Sequence, residues 1–266
     1  MADFLGGLAS RRIAALSVVL AVESSGLVIA AVLMAVTGAP WFHTTGQALA
    51  AAGAGLSGVL GLVCFYRALA VGTMSVVAPV SSTGLAVPVV VGLIGGHDPA
   101  PVQFAGIACA AVGVVLASRE AAEEELRERA APGIGLALLA ALGFGGYFVG
   151  ADHAAAGGVL ATVFLGRVAA VPVLAALTAA QGVSLLPPDR RTALRLFAIG
   201  ALDLVATGLY AFATTKGILA VVAVVGALYP VTTVLLARAV LGERLRRTQR
   251  AGVVVALTGV ALIAAG

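Results

Sequence analysis

The sequence predicts an all-α polytopic membrane protein made of two inverted five-helix repeats, with nine complete transmembrane helices and the tail of a tenth. Three observations carry that expectation. Hydrophobic residues fill 61% of the 266 positions and charged residues 11%, against about 25% charged in soluble domains, too few to clothe a soluble surface. The apolar runs are long and continuous, which selects helices over the short alternating strands of a β-barrel. Finally, Gln103-Phe104-Ala105-Gly106 returns as Gln249-Arg250-Ala251-Gly252, 146 positions later.

Taken in order, the spans are expected at 13–36, 47–66, 74–95, 102–118, 133–151, 159–181, 196–215, 218–241 and 249–265, each near the ~20 residues that a bilayer crossing requires. The breaks carry turn chemistry, as at Gly38-Ala39-Pro40, His97-Asp98-Pro99 and Pro187-Pro188-Asp189. Met1 to Ser10 has no basic residue ahead of its apolar ones, so the membrane segments themselves are expected to direct insertion. The net charge of +4 does not point to nucleic acid, because the basic residues are not gathered on polar surface.

Charge sorts the loops. Arg11, Arg12, Arg67, Arg119, Arg127, Arg129, Arg190, Arg191, Arg195, Arg238, Arg244, Arg246, Arg247 and Arg250 fall on one side of the membrane, and only Arg167 and Lys216 on the other. The arginine-rich side is therefore the expected cytoplasmic one, which leaves the C-terminus outside. His43, His97 and His153 then lie near the outer face without metal-ligand spacing. Trp41 reads as an interfacial anchor. Cys64 and Cys109 sit in apolar runs and read as small core residues.

The charged stretch 119–131, with Glu123/Arg127 and Glu125/Arg129 at helical i,i+4 spacing, divides a first repeat (1–118) from a second (132–266). At the 146 offset Gly96 meets Gly242 and Gly113 meets Gly259; upstream, Tyr66 meets Tyr210 at 144 and Arg12 meets Arg167 at 155. A five-helix unit has an odd number of spans, so its copies are inverted, an arrangement typical of secondary transporters with a substrate site between the copies. Counted back from Arg12 and Arg167, the first copy is 24 residues shorter than the second, about one helix; Asp3 to Ser10 is the expected tail of that helix.

Phe65-Tyr66-Arg67-Ala68-Leu69 with Val77-Ala78-Pro79-Val80, and Leu228-Tyr229-Pro230-Val231 running on to Leu241-Gly242-Glu243-Arg244-Leu245, resemble the EamA family of the drug/metabolite transporter superfamily. Asp3 to Arg12 resembles the end of that family's first helix. The resemblance covers essentially the whole chain. It implies ten helices in two repeats and the export or uptake of small metabolites. Two features depart from it: most of the first helix is absent, and the charge count places the C-terminus outside, where family members usually keep both termini in the cytoplasm.

The leading functional candidate is Asp203, which shares a helical face with Thr207 and Tyr210 at i+4 and i+7. A carboxyl there could load a proton on one side of the membrane and release it on the other, or could be a neutral, hydrogen-bonded structural group. Glu23, near the middle of its span, carries the same two readings; a lipid-facing charge would cost about 2.5–3.5 kcal/mol. Arg167 reads as snorkelling toward the outer interface, and Glu243 as a local ion-pair partner. Helix breakers recur in the two copies, with Pro79, Gly84 and Pro88 beside Ser81, Ser82 and Thr83, and Gly226 and Pro230 beside Tyr229, Thr232 and Thr233. They are either kinks or unwound turns that offer backbone groups to a cavity. Tyr66, the counterpart of Tyr210, completes the candidate set.

The expected activity is secondary transport of a small metabolite or drug-like molecule across the cytoplasmic membrane, coupled to protons in its sharpest form. A non-transporting scaffold or partner subunit is the first rival. A membrane enzyme is the second, though the acids are isolated and the histidines scattered. No glycine-rich stretch leads into the Lys-Ser/Thr of a P-loop, so no nucleotide is expected, and neither cofactor nor metal. The expected partners are the lipid bilayer and a small-molecule substrate, with no nucleic acid and a homodimer left open.

Overall fold

The computed structural model describes residues 1–71, 77, 80–96, 100–125 and 130–226, with scattered positions from 236 to 262. Among these residues every regular element is helical. They are α1 (Ala2–Ser10), α2 (Ala15–Thr37), α3 (Thr45–Val71), a short 3-10 turn (Thr83–Leu85) leading into α4 (Ala86–Ile94), α5 (Pro101–Glu125), α6 (Ala130–Ala155), α7 (Val159–Ala180), α8 (Arg190–Thr214) and α9 (Leu219–Gly226).

Five of them, α2, α3, α6 from Gly133, α7 and α8, are long and apolar enough to cross a membrane. They answer to five of the nine expected spans. The expected span 102–118 falls within α5, which runs on through Arg119 into the charged stretch. Span 74–95 is broken by the 3-10 turn, and 218–241 and 249–265 lie largely outside the described residues.

Helix ends follow local chemistry. Gly38 closes α2 in the left-handed region at φ +58, its N–H donating to the Met34 carbonyl, a conformation that glycine adopts without a Cβ penalty. Asp189 caps α8 by accepting from the Thr192 N–H at 2.9 Å. At the start of α3, Thr44 accepts in the same way from the Gln47 N–H at 3.2 Å. Both satisfy donors that a helix start leaves orphaned.

Small residues set the packing. α3 runs along α6, where Gly61 and Gly143 bring the two backbones together and the Ser57 hydroxyl donates to the Gly143 carbonyl at 2.9 Å. α2 packs on both α7 and α8, and α3 on α7. The α3–α7 crossing is made at Gly55 against Gly166, and the α2–α8 crossing at Gly200 against the Val22 carbonyl. Between helices in lipid, such close approach supplies the van der Waals contact that a hydrophobic driving force cannot. Phe65, Tyr66, Leu69, Leu174, Leu196, Val18 and Val19 fill the centre.

The connections separate by end. Ser17 Oγ donates to the Ser184 carbonyl at 2.6 Å and Arg67 Nη2 to Gln181 Oε1 at 2.8 Å. These contacts gather the α1–α2 turn, the end of α3 and the α7–α8 loop, with Arg11, Arg12, Arg67, Arg190 and Arg191, at one end of the bundle. At the opposite end Trp41 packs on Phe164 with ring centroids 6.2 Å apart, and Gly158 lies beside the Pro40 carbonyl.

Candidate substrate cavity

Three helices carry the charged centre. Glu23 is the ninth residue of α2 and Arg167 the ninth of α7, so each lies about 12 Å along its helix from the start. Asp203 is the fourteenth residue of α8, about 20 Å in. Arg167 is 5% exposed. Its Nη2 donates to Asp203 Oδ2 at 2.7 Å and to Thr207 Oγ1 at 3.2 Å, and its Nη1 donates to the Val163 carbonyl one turn back. Its Nε stands 3.6 Å from Glu23 Oε2. Gly26 makes room: any Cβ on α2 at that position would meet the Arg167 Nε.

The expectation that Arg167 snorkels is corrected by this arrangement. At about 12 Å depth an arginine cannot reach the interface, and a guanidinium within hydrocarbon must find partners. Two carboxyls and a hydroxyl from neighbouring helices supply them.

These groups line a cavity of about 220 Å³, bounded by α1, α2, α3, α6, α7, α8 and α9. That lies below the range of about 300–1,000 Å³ typical of drug-sized ligand sites. Asp3 of α1 adds a third carboxyl to the lining. One wall is aromatic, with Phe144, Tyr147 and Phe148 on α6 and Tyr210 on α8. The Phe148 and Tyr210 rings lie 4.8 Å apart, Tyr147 and Tyr210 6.0 Å apart. The Tyr210 hydroxyl donates to the Phe148 carbonyl at 3.2 Å. Tyr147 Oη, which faces Thr207, and Arg167 Nε, which faces Glu23, reach no hydrogen bond of good geometry with a described residue.

Of the residues singled out from the sequence, Asp203, Glu23, Thr207 and Tyr210 come together on this lining. Tyr66 is fully packed at 1% exposure beside Gly6 of α1, off the lining itself. Ser82 and Pro88 are buried apart from the cavity, and Thr83 is exposed with its hydroxyl donating to the Val80 carbonyl at 2.7 Å. Tyr229 and Pro230 lie outside the described residues. Among the described residues no group of three His, Cys, Asp or Glu side chains is placed to hold a metal.

Among the cavity residues that sequence reasoning passed over are Arg167, Asp3, Tyr147 and Phe148. Pairing Arg12 with Arg167 at an offset of 155 hid them, since Arg12 stands in the exposed turn between α1 and α2. The Tyr66–Tyr210 offset of 144, extended over the three helices, pairs Glu23 with Arg167, Asp3 with Tyr147 and Phe4 with Phe148.

A solved chain described only as "Crystal structure of protein" superimposes with a TM-score of 0.72 at 15% identity, over 98% of this chain and 93% of that one. At that identity the likeness establishes a shared fold. No curated protein matches the sequence. The family model described as "EamA-like transporter family" matches residues 131–265, half of the chain. With its apolar helices and that match, this integral membrane protein belongs to the EamA-like transporter family.

Proposed function

We propose that the chain is a secondary transporter of the cytoplasmic membrane, moving a small metabolite or drug-like molecule by alternating access between two inverted five-helix copies, with proton coupling through Asp203. The helix limits support two copies: α2 and α7 begin 144 residues apart and end 143 apart, and α3 and α8 begin 145 and end 143 apart. The packing supports it too. Exchanging the halves turns the α3–α7 contact into the α8–α2 contact, each centred on a glycine, Gly55 and Gly200, 145 residues apart. The arginine-rich end faces the cytoplasm in this reading.

One observation carries the functional part. The buried Glu23–Arg167–Asp203 network stands near mid-depth in a cavity to which both halves contribute. Charges at that depth are costly and mark substrate or ion pathways. Arg167 bridges acids of two different helices, and protonation of Asp203 removes the charge that strengthens its 2.7 Å bond to Nη2 while the contact to Glu23 remains. Gain and loss of that proton therefore changes how firmly α8 is held to α7, the kind of two-state element that alternating access requires. Asp203, Glu23, Thr207 and Tyr210 contact the substrate in this scheme, while the break at Ser82, Thr83 and Pro88 lies away from it.

Transport into proteoliposomes under an imposed pH gradient tests the reading, using a radiolabelled metabolite panel. Wild type accumulates at least one compound against its gradient. Asp203→Asn, checked for monodispersity and helical content, is expected to lose gradient-driven accumulation. Wild-type-like accumulation by that variant removes Asp203 from the coupling step.

A further inference from the structure

We infer that the cavity selects a small protonated amine carrying an oxygen acceptor, an inference that rests on the cavity being the transport site. Among the described residues, three carboxyls, Asp3, Glu23 and Asp203, share this space with one guanidinium, Arg167. Arg167 bridges two of them, Asp203 at 2.7 Å and Glu23 at 3.6 Å, with one positive charge, and the N-terminal ammonium acts on Asp3. Among the described residues no other Lys, Arg or His side chain lines the cavity. Low-dielectric surroundings magnify any such imbalance, so an anionic or phosphorylated solute is repelled and a cation is drawn in.

The aromatic wall acts in the same direction. Tyr147, Phe148 and Tyr210 bring ring surface to the space that the carboxyls line, and an ammonium group placed over a ring face gains electrostatic attraction. The oxygen follows from a separate observation. Tyr147 Oη faces Thr207 and Arg167 Nε stands 3.6 Å from Glu23 Oε2, and neither buried donor reaches good hydrogen-bond geometry with a described residue. Leaving such donors unmet is costly, and a ligand hydroxyl or carbonyl would meet one of them. The volume of about 220 Å³ favours a compact molecule.

Calorimetry on the purified full chain in lipid nanodiscs tests this with three matched probes. These are tyramine (amine, ring and phenol oxygen), phenethylamine (the amine without the oxygen) and 4-hydroxyphenylacetate (the ring and oxygen with a negative charge). Tyramine is expected to bind tightest, phenethylamine about three- to tenfold more weakly, and 4-hydroxyphenylacetate not at all. Tyr147→Phe should narrow the gap between the two amines, and Asp203→Asn should weaken tyramine about tenfold or more. The wild-type series stands by itself if a variant does not fold. Binding of the anion as tight as that of tyramine, or no amine binding to folded protein, overturns the inference. Tyramine binding without counterflow in proteoliposomes keeps the cation site and overturns the transporter reading. Counterflow of the anion but not the amine does the reverse.

Discussion

The segments α1–α3 and α6–α8 match at the end of their first helices, at both limits of their second and third, and in their glycine crossings, yet they bring opposite chemistry to the cavity. The first contributes Asp3 and Glu23; the second contributes Tyr147 and Arg167 at the positions 144 residues on, and adds Asp203. α2 and α7 thus meet with an acid and a base at the same, ninth, position of each helix. Two copies with an identical residue there would bury like charges against each other, which costs several kcal/mol or forces neutralisation. An acid on α2 and a base on α7 make that meeting an ion pair. No acid stands 144 residues before Asp203, where the sequence has Val59.

The sharpest way to break the comparison is at that pair. Arg167→Ala leaves Glu23 and Asp203 without the one cation that the described residues bring to them and is expected to destabilise by about 3–5 kcal/mol, read as a large fall in thermal unfolding midpoint. Exchanging the charges, Glu23→Arg with Arg167→Glu, restores an ion pair between α2 and α7 but sets a carboxylate against Asp203. Stability should recover in part and transport should not. Full transport by the exchanged protein would show that the α2–α7 pair, and not the Arg167–Asp203 bond, is the working part.

A smaller effect is expected at the glycines. A Cβ on Gly55 would strike the Gly166 backbone, and one on Gly200 the Val22 carbonyl. Gly55→Ala and Gly200→Ala should each cost about 1–3 kcal/mol, and equivalence of the crossings requires similar losses. A harmless change at one and a severe one at the other would break the comparison.

The smallest effect separates the helix starts. Thr44 and Asp189, 145 residues apart, cap α3 and α8 by accepting from Gln47 and Thr192. Hydrogen bonds from the Thr192 side chain and backbone hold the Asp189 carboxyl below its ordinary value. A carboxyl lowered on folding stabilises the fold above its unfolded pKa, about 3.9, and that contribution fades as pH falls through the lower folded value. Asp189→Ala should therefore lower the unfolding midpoint slightly at neutral pH. The difference from wild type should shrink under acid, whereas that for Thr44→Ala should stay constant. Parallel pH profiles for the two variants would remove this distinction.

Much of the site was readable one helix at a time. Asp203, Thr207 and Tyr210 fall on one face by spacing alone, and Glu23 is conspicuous because ionisable residues in apolar runs are rare. Arg167 was misjudged because its depth was read from an apolar run whose nearer end is the outer one; counting nine residues into α7 would have placed it beyond the reach of snorkelling. Asp3 carried no signal, being a single acid in a short apolar stretch. The helix breakers around Ser82 and Pro88 mark a real 3-10 turn at Thr83–Leu85, but spacing could not reveal that it stands apart from the cavity.

The sequence by itself determined the solvent and the elements: with 11% charged residues and long apolar runs, only membrane helices can satisfy the backbone. Its alternation of spans led to the expectation, met among the described residues, that Arg11, Arg12, Arg67, Arg190 and Arg191 gather at one end. The tertiary structure alone decided which charges meet. Glu23, Arg167 and Asp203 are separated by 144 and 36 positions, and nothing local to any one of them names its partners. They are joined because glycines at 26, 55 and 200 let the helices approach closely enough for one guanidinium to reach both carboxyls, a consequence of three-body packing that no periodicity along a single helix encodes.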